Sequence, residues 1–306
     1  MYKRQRLLSL AAFVVAAVCA CAQSLNVASY NVRLLTDADY KSGNGWSQRV
    51  DCLCDVIRFS DFDIFGAQEV KYEQLSDMLY RLQDYDYVGV GRDDGAQGGE
   101  YSPVFYKKER FTLLDSGTFW LSETPDKVSK GWDARHKRVC SWGYFKDKVS
   151  RKKFWFFNLH MDHIGIVARR ESAKLVVARI AEMCGKNASV VLTGDFNVAQ
   201  DNEIYGIFAD CGFLKDSYEV AEFRFAPTGT FNSFKPQNFT TRRIDHIWVS
   251  DNARVDRYGV LTYHFWDKES GENSRLNDAP KEIKAEKRTV RLPSDHYPVN
   301  VFLSFK

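Results

Sequence analysis

Short apolar runs recur along the chain, and most of them break at a polar residue. Residues 25–32 alternate like a strand that closes on Asn31, and residues 63–70 form a second buried strand ending at Glu69. Strands are also expected over 85–90, over 100–106 (carrying Glu100), and over 118–125, the last running out into a loop. Residues 138–145, opening on Arg138, and 153–159 read as a hairpin whose second strand delivers His160-Met161-Asp162-His163. Residues 189–199, Ser-Val-Val-Leu-Thr-Gly-Asp-Phe-Asn-Val-Ala, begin as a buried strand and break at Thr193-Gly194, directly before Asp195 and Asn197. Further on, 230–234 reads as extended, 243–249 as a strand carrying Asp245 and His246, and 255–265 as another. A last strand over 299–305 follows Ser294-Asp295-His296-Tyr297-Pro298. Helical spacing appears over 48–59, 72–82 and 169–184, with a short helix over 202–210. The charged stretch 267–288, with Gly271 and Pro280, reads as a surface insertion. There is no repeat and no linker, so 23–306 is expected to be one domain.

The pair Asp195 and Asn197 supports two readings. In extended backbone both side chains point one way while Phe196 anchors behind, and a carboxylate beside an amide can hold a hard cation or orient a water. Equally, Asp and Asn are common residues of Asx turns.

The N-terminus changes the charge argument. Lys3, Arg4 and Arg6 precede an apolar run over 7–18, and Ala20-Cys21-Ala22 suits cleavage before Gln23. Residues 1–22 therefore read as a signal peptide, too short for a comfortable span, and the mature protein as exported to the periplasm or beyond. Lipidation at Cys19 or Cys21 fits the flanking residues less well. Of 43 Lys and Arg, three leave with the leader, so the mature chain balances 40 bases against 40 acids. Nothing global marks a grip on a polyanion. The remaining cysteines, Cys52, Cys54, Cys140, Cys184 and Cys211, are odd in number and irregular in spacing, which is no disulfide framework.

The chemistry lies at the strand ends. Asn31, Glu69, Glu100, His160, Asp195, Asn197, Asp245, Asp295 and His296 would converge on one rim if their strands share a sandwich. An oxygen-rich set without zinc spacing favours Mg²⁺, with Mn²⁺ as the alternative.

The ordered motifs Ser-Tyr-Asn-Val, Gln-Glu-Val, Glu-Tyr-Ser-Pro-Val-Phe-Tyr, Asn-Leu-His-Met-Asp-His, Gly-Asp-Phe-Asn, Arg-Ile-Asp-His-Ile and Ser-Asp-His-Tyr-Pro-Val resemble the endonuclease/exonuclease/phosphatase superfamily over nearly the whole mature chain. That resemblance implies a four-layered α/β sandwich, two mixed β-sheets packed face to face and flanked by helices. It implies Glu69 as the principal Mg²⁺ ligand with Asn31 and Asp295 beside it. Asp195 would orient or deprotonate the attacking water, and Asn197 would hold the phosphate or a second ion. Asp245 would buttress His296. His160 would face the phosphate, with Glu100 setting its tautomer. Each imidazole is expected to need a carboxylate that favours its charged form. Arg138 is a further candidate for the phosphate, and Asp162 and His163 suit either substrate contact or structure.

The reading that follows is a metal-dependent phosphodiesterase or phosphatase acting on a sugar, inositol or lipid phosphate, with Trp120 and Trp132 as candidate stacking surfaces for a sugar ring. A secreted nuclease is the alternative, with Arg169-Arg170, Arg242-Arg243 and the bases of 281–291 flanking the rim. Nucleic acid is the less favoured partner, and the mature chain carries no expected transmembrane segment. A non-catalytic binding protein on this fold would lack some of the site residues, and none is missing.

Overall fold

The computed structural model describes residues 24–185, 187–267, 273–276, 278–286 and 288–306. The expected signal peptide, 1–22, lies outside them. In chain order the elements are β1 (Leu25–Asn31), α1 (Asp37–Lys41), α2 (Trp46–Phe59), β2 (Ile64–Gln68), α3 (Tyr72–Arg81), β3 (Tyr85–Val88), β4 (Val104–Lys107) and β5 (Phe111–Trp120). Next come β6 (Val139–Asp147), β7 (Lys153–His160), α4 (Ile166–Cys184), β8 (Val190–Asp195), α5 (Glu203–Ala209), β9 (Leu214–Asp216), α6 (Ser217–Val220) and β10 (Phe223–Phe225). The chain closes through β11 (Asp245–Ser250), β12 (Ala253–Val260), β13 (Phe265–Trp266), β14 (Asn273–Arg275), β15 (Lys284–Glu286), β16 (Val290–Arg291) and β17 (Val299–Phe305).

Two large mixed sheets form the centre. One has seven strands in the order β10-β12-β17-β1-β2-β4-β3, and the other six in the order β5-β6-β7-β8-β11-β9. Apolar side chains from both inner faces, among them Val27, Ile64, Val104, Phe156, Val191, Ile247 and Val301, form the core between the sheets. α2 and α3 cover the outer face of the first sheet through Leu53, Ile57, Leu75 and Met78. α4 and α5 cover the second through Ala173, Val176, Ile180 and Phe208. The result is the expected four-layered α/β sandwich. β1, β2 and β8 are buried along their whole length, which explains their near-continuous apolar sequence.

Topology puts the polar strand ends at one rim. β1 and β2 run parallel, as do β7 and β8, so all four contribute their C-terminal ends there. β11 is antiparallel to β8, and β17 to β1, so these two contribute their N-terminal approaches at the same rim.

Just below the rim the sheets touch through polar groups. Gln68 Nε2 donates to Asn158 Oδ1 (2.7 Å), Thr193 Oγ1 donates to the same oxygen (3.0 Å), and Asn158 Nδ2 donates to the Ala67 carbonyl (2.7 Å). All three side chains are fully buried, so a slip between the sheets would strand desolvated donors and acceptors. Gly66 is required for this approach, because a Cβ there would lie 2.2 Å from both Asn158 Oδ1 and Thr193 Oγ1.

Three sequence expectations change. Residues 230–234 are not one extended piece: Phe231 pairs with His296, but Ser233 and Phe234 turn back with φ of 57°. The strand expected over 255–265 stops at Val260. The described part of 267–288 contains a small hairpin of β14 and β15. Cys52, Cys54, Cys140, Cys184 and Cys211 are free thiols. No helix among the described residues is long and apolar enough to cross a membrane.

Candidate active site

Three functional side chains stand in a row across the second sheet, because register makes His160 the neighbour of Asp195 and Asp195 the neighbour of Asp245. Alternation along β11 then separates Asp245 from His246. Asp245 faces the rim, while His246 packs among Phe196, Tyr205 and Trp248 with its Nε2 on the Val198 carbonyl. Opposite the row, β1 supplies Asn31 and β2 runs into Glu69, which turns with φ of 63°. Arg33 and Asn197 take similar left-handed conformations, with φ of 58° and 49°. Three such residues around one cavity mark backbone conformations that the surrounding structure must hold in place.

Asn197 corrects the extended reading of the central motif. The chain turns there, and Asn197 N–H donates to Asp195 Oδ1 (2.9 Å), an Asx-type turn. The turn itself brings the Asn197 amide to the site, where Nδ2 lies 3.2 Å from His160 Nε2 and donates to the Met161 carbonyl. Phe196 is buried behind, as expected.

Asp195 is the hub. Its Oδ2 accepts from Asn31 Nδ2 (3.0 Å) and lies 3.6 Å from His160 Nε2 and 3.8 Å from His296 Nε2. Burial, and then the nearby Asp245 carboxylate, push its pKa up, although His296 pulls the other way. A buried carboxylate raised in this way is a better proton acceptor than a solvated one. His296 Nδ1 pairs with Asp245 Oδ2 at 2.9 Å. Burial opposes its charge, but Asp245, Asp195 and Asp295 together hold its pKa well above the ordinary histidine value, which favours the imidazolium.

The two histidines are not equivalent. Burial, followed by the fields of Arg138 and Arg92, holds the His160 pKa well below the ordinary value, so its ring is neutral. The expectation that Glu100 sets its tautomer fails, because both Glu100 oxygens are taken by Arg92 at 2.7 and 2.8 Å. The carboxylate beside His160 is instead Asp195, whose Oδ2 lies 3.6 Å from Nε2.

Arg138 lies immediately before β6 and points into the protein. It is 4% exposed, its Nε lies 3.3 Å from Asp162 Oδ1, and its Nη2 lies 3.0 Å from His163 Nδ1. Asp162 is a structural anchor: burial opposes its charge, but N–H groups of Gly165, Arg135 and Ile164 and the Arg138 guanidinium hold its pKa far below the carboxylate range. His163 is exposed and stacks on His136, with centroids 6.2 Å apart.

These groups surround a cavity of about 380 Å³ whose wall includes Arg33, Glu69, Arg92, Glu100, His136, Arg138, His160, His163, Asp195, Asn197, Phe231, Asp295 and His296. Ligand atoms of Glu69, His160 and Asp195 lie within 4.8 Å of one another, as do those of Asp195, Asp245 and His296. Burial raises Asp295 as well as Asp195, and Glu69 adds to the Asp295 shift. A cation would relieve that repulsion, and carboxylate oxygens suit a hard one, so the residues fit a divalent metal. Asp295 belongs to neither group and lies on the same wall, with Oδ2 3.7 Å from Arg33 Nη1. Asn31 departs from the ligand expectation. Its Nδ2 donates to Glu69 Oε1 (3.1 Å) and to Asp195, while its Oδ1 accepts from Arg33 N–H (3.0 Å). Its amide therefore ties two carboxylates together, and ligation would require it to turn over and lose the Arg33 bond.

Several contributors escaped the sequence reading. Arg92, Arg33, His136 and Phe231 reach the cavity from loops. Arg49 on α2 is buried between the Trp46 and Phe234 rings and donates to the carbonyls of Arg33 (2.7 Å), Pro293 (2.9 Å) and Val32. It thereby pins the segments that carry Arg33 and Asp295. Trp120 and Trp132 do not line the cavity, and the Trp120 Nε1 donates to the Arg92 carbonyl. Several of the bases proposed to flank the rim are paired with acids: Arg170 with Glu203, Arg242 with Asp201, Arg243 with Asp216, Arg288 with Glu286, and Arg291 with Asp267. Arg169 donates to the Asp162 carbonyl.

Known proteins bear on this geometry. The model of the Endonuclease/Exonuclease/phosphatase family matches residues 28–296. A Bacteroides thetaiotaomicron structure described as a mannosyl-6-phosphatase is 49% identical over 92% of this chain and 100% of that one, with a TM-score of 0.84. A family protein from Bacteroides vulgatus is 35% identical over 92% of this chain and 99% of that one, with a TM-score of 0.78. An uncharacterized protein of Acanthamoeba polyphaga mimivirus is 30% identical over 180 residues, 56% of this chain and 67% of that protein.

Proposed function

The chain belongs to the endonuclease/exonuclease/phosphatase family and is a metal-dependent phosphoric ester hydrolase, and from that premise we propose that it is a Mg²⁺-dependent phosphatase acting on a sugar phosphate outside the cytoplasm. The observation that carries this reading is 49% identity, across 92% of the chain, to a protein described as a mannosyl-6-phosphatase. Two features support it. The cavity of about 380 Å³ suits a compact substrate. The pairing of several candidate rim arginines with acids or carbonyls weighs against a continuous basic track for nucleic acid. Export rests on the leader sequence.

The side chains divide the work of hydrolysis. Glu69 and Asp295 would hold the Mg²⁺, which would supply positive charge at the phosphate, while Asn31 ties the Glu69 and Asp195 carboxylates together. Asp195, its pKa raised by burial and by Asp245 and its carboxylate anchored by Asn197 N–H and Asn31, orients the attacking water and takes its proton. His296, held charged by Asp245, donates from Nε2 to a phosphoryl oxygen. Asn197 and the neutral His160 border the phosphate without adding charge, and Arg138 supplies the field of a buried guanidinium. Catalysis on this account is positioning plus electrostatics, as in-line phosphoryl transfer requires.

The test compares mannose 6-phosphate, bis-p-nitrophenyl phosphate and plasmid DNA with the mature protein and Mg²⁺. Phosphate release from the monoester, with slow diester cleavage and intact plasmid, is expected. Nicked plasmid without monoester turnover, falling steeply with salt, would establish the nuclease reading instead.

A further inference from the structure

We propose that Phe231 is the platform on which the sugar ring of the substrate stacks, and that it thereby sets specificity for a ring-bearing monoester. This rests on the sugar-phosphate reading and adds to it the residue that recognises the leaving group.

Phe231 is 43% exposed and lines the cavity, where the other apolar lining residues, Leu34 and Ile244, are only half-buried. Single exposed aromatics are ordinary on a protein surface. This one stands inside a charged active-site cavity, with its ring 5.0 Å from that of His296 at an interplanar angle of 67°. No core contact explains the placement, because its chain neighbours Thr230 and Asn232 are both fully buried and it alone turns outward.

The backbone on either side fixes the ring relative to the reacting group. Tyr297 N–H donates to the Thr230 carbonyl (2.7 Å), and Asn232 N–H donates to the Asp295 carbonyl (2.8 Å). Asn232 Nδ2 donates to the Ser294 carbonyl (3.2 Å), while Thr230 Oγ1 accepts from Asp245 N–H (3.2 Å). Phe231 is therefore tied to the segment that carries Asp295 and His296, and little ordering remains to oppose stacking when substrate binds. An apolar ring face beside the phosphate site suits the C–H face of a pyranose. The polar His136–His163 pair elsewhere on the cavity wall is available to the hydroxyls.

Mannose 6-phosphate and glycerol 3-phosphate present the same phosphate with and without a ring. In Phe231→Ala the ratio of their kcat/KM values is expected to fall roughly 5–10-fold, mainly through KM for the sugar phosphate. Phe231→Tyr and Phe231→Trp should retain most of the ratio. An equal loss on both substrates would overturn the proposal and make Phe231 a positioning residue for His296. Unaltered kcat/KM values on both substrates would overturn it too. A wild-type enzyme that does not prefer mannose 6-phosphate over glycerol 3-phosphate would overturn the sugar-phosphate reading itself.

Discussion

Asp195→Asn is expected to lower kcat on a phosphomonoester by roughly 10²–10⁴-fold, the range typical of losing a positioned general base. The substitution is nearly isosteric, so the turn that Asn197 N–H makes to Oδ1 survives. The proton acceptor does not survive. Asp195 is the carboxylate common to both groups of clustered ligand atoms and lies near both site histidines, so no other side chain occupies its place. Steady-state kinetics at saturating Mg²⁺ measures the effect, and the loss should fall on kcat and kcat/KM alike, since the interaction is made in the transition state. A variant retaining near-wild-type kcat would remove Asp195 from the mechanism.

His296→Ala is the second large effect, and it should appear in stability as well as activity. His296 is the partner of Asp245 Oδ2, and Asp245 Oδ1 already lacks a hydrogen-bond partner. Truncating the imidazole leaves a buried carboxylate uncompensated, a change that typically costs about 3–5 kcal/mol. Denaturant unfolding should register that loss, and kcat should fall roughly 10²–10³-fold as the charged donor disappears. The double variant His296→Ala/Asp245→Asn separates the two contributions. It should recover much of the stability, because no buried charge is left unpaired, and none of the activity. Recovery of activity would show that His296 serves only to neutralise Asp245.

The strand-end residues were legible because strand direction and alternation are local properties. Residues 190–195 and 299–305 show their pattern in the sequence, and topology alone then carries Asn31, Glu69, His160, Asp195, Asp245 and Asp295 to one rim. Pairings across loops were not legible. Nothing in the spacing of Arg92 and Glu100 shows that the Gly-rich turn between them folds the two into a bidentate ion pair, so Glu100 could be assigned to His160 on resemblance alone. The protonation of His160 likewise depends on two arginines, Arg92 and Arg138, brought beside it by the fold. Arg49 reads as one basic residue of an amphipathic helix, and its role as a buried clamp emerges only where the loops after β1 and before β17 meet. The aromatic of the cavity was misplaced for the same reason. Density of Trp near 120–132 pointed to stacking surfaces there, whereas the ring in the cavity is Phe231, on a segment that ends in a left-handed turn.

In the proposed reaction a divalent metal, Asp195 and His296 together hydrolyse a phosphomonoester. The most direct measurement is inorganic phosphate release from mannose 6-phosphate by the mature protein, first as purified, then after chelation, then with Mg²⁺ restored. Release should be abolished by the chelator and recovered with Mg²⁺, and should stay at least roughly 100-fold lower throughout in Asp195→Asn. Release at an undiminished rate in the presence of the chelator would contradict it.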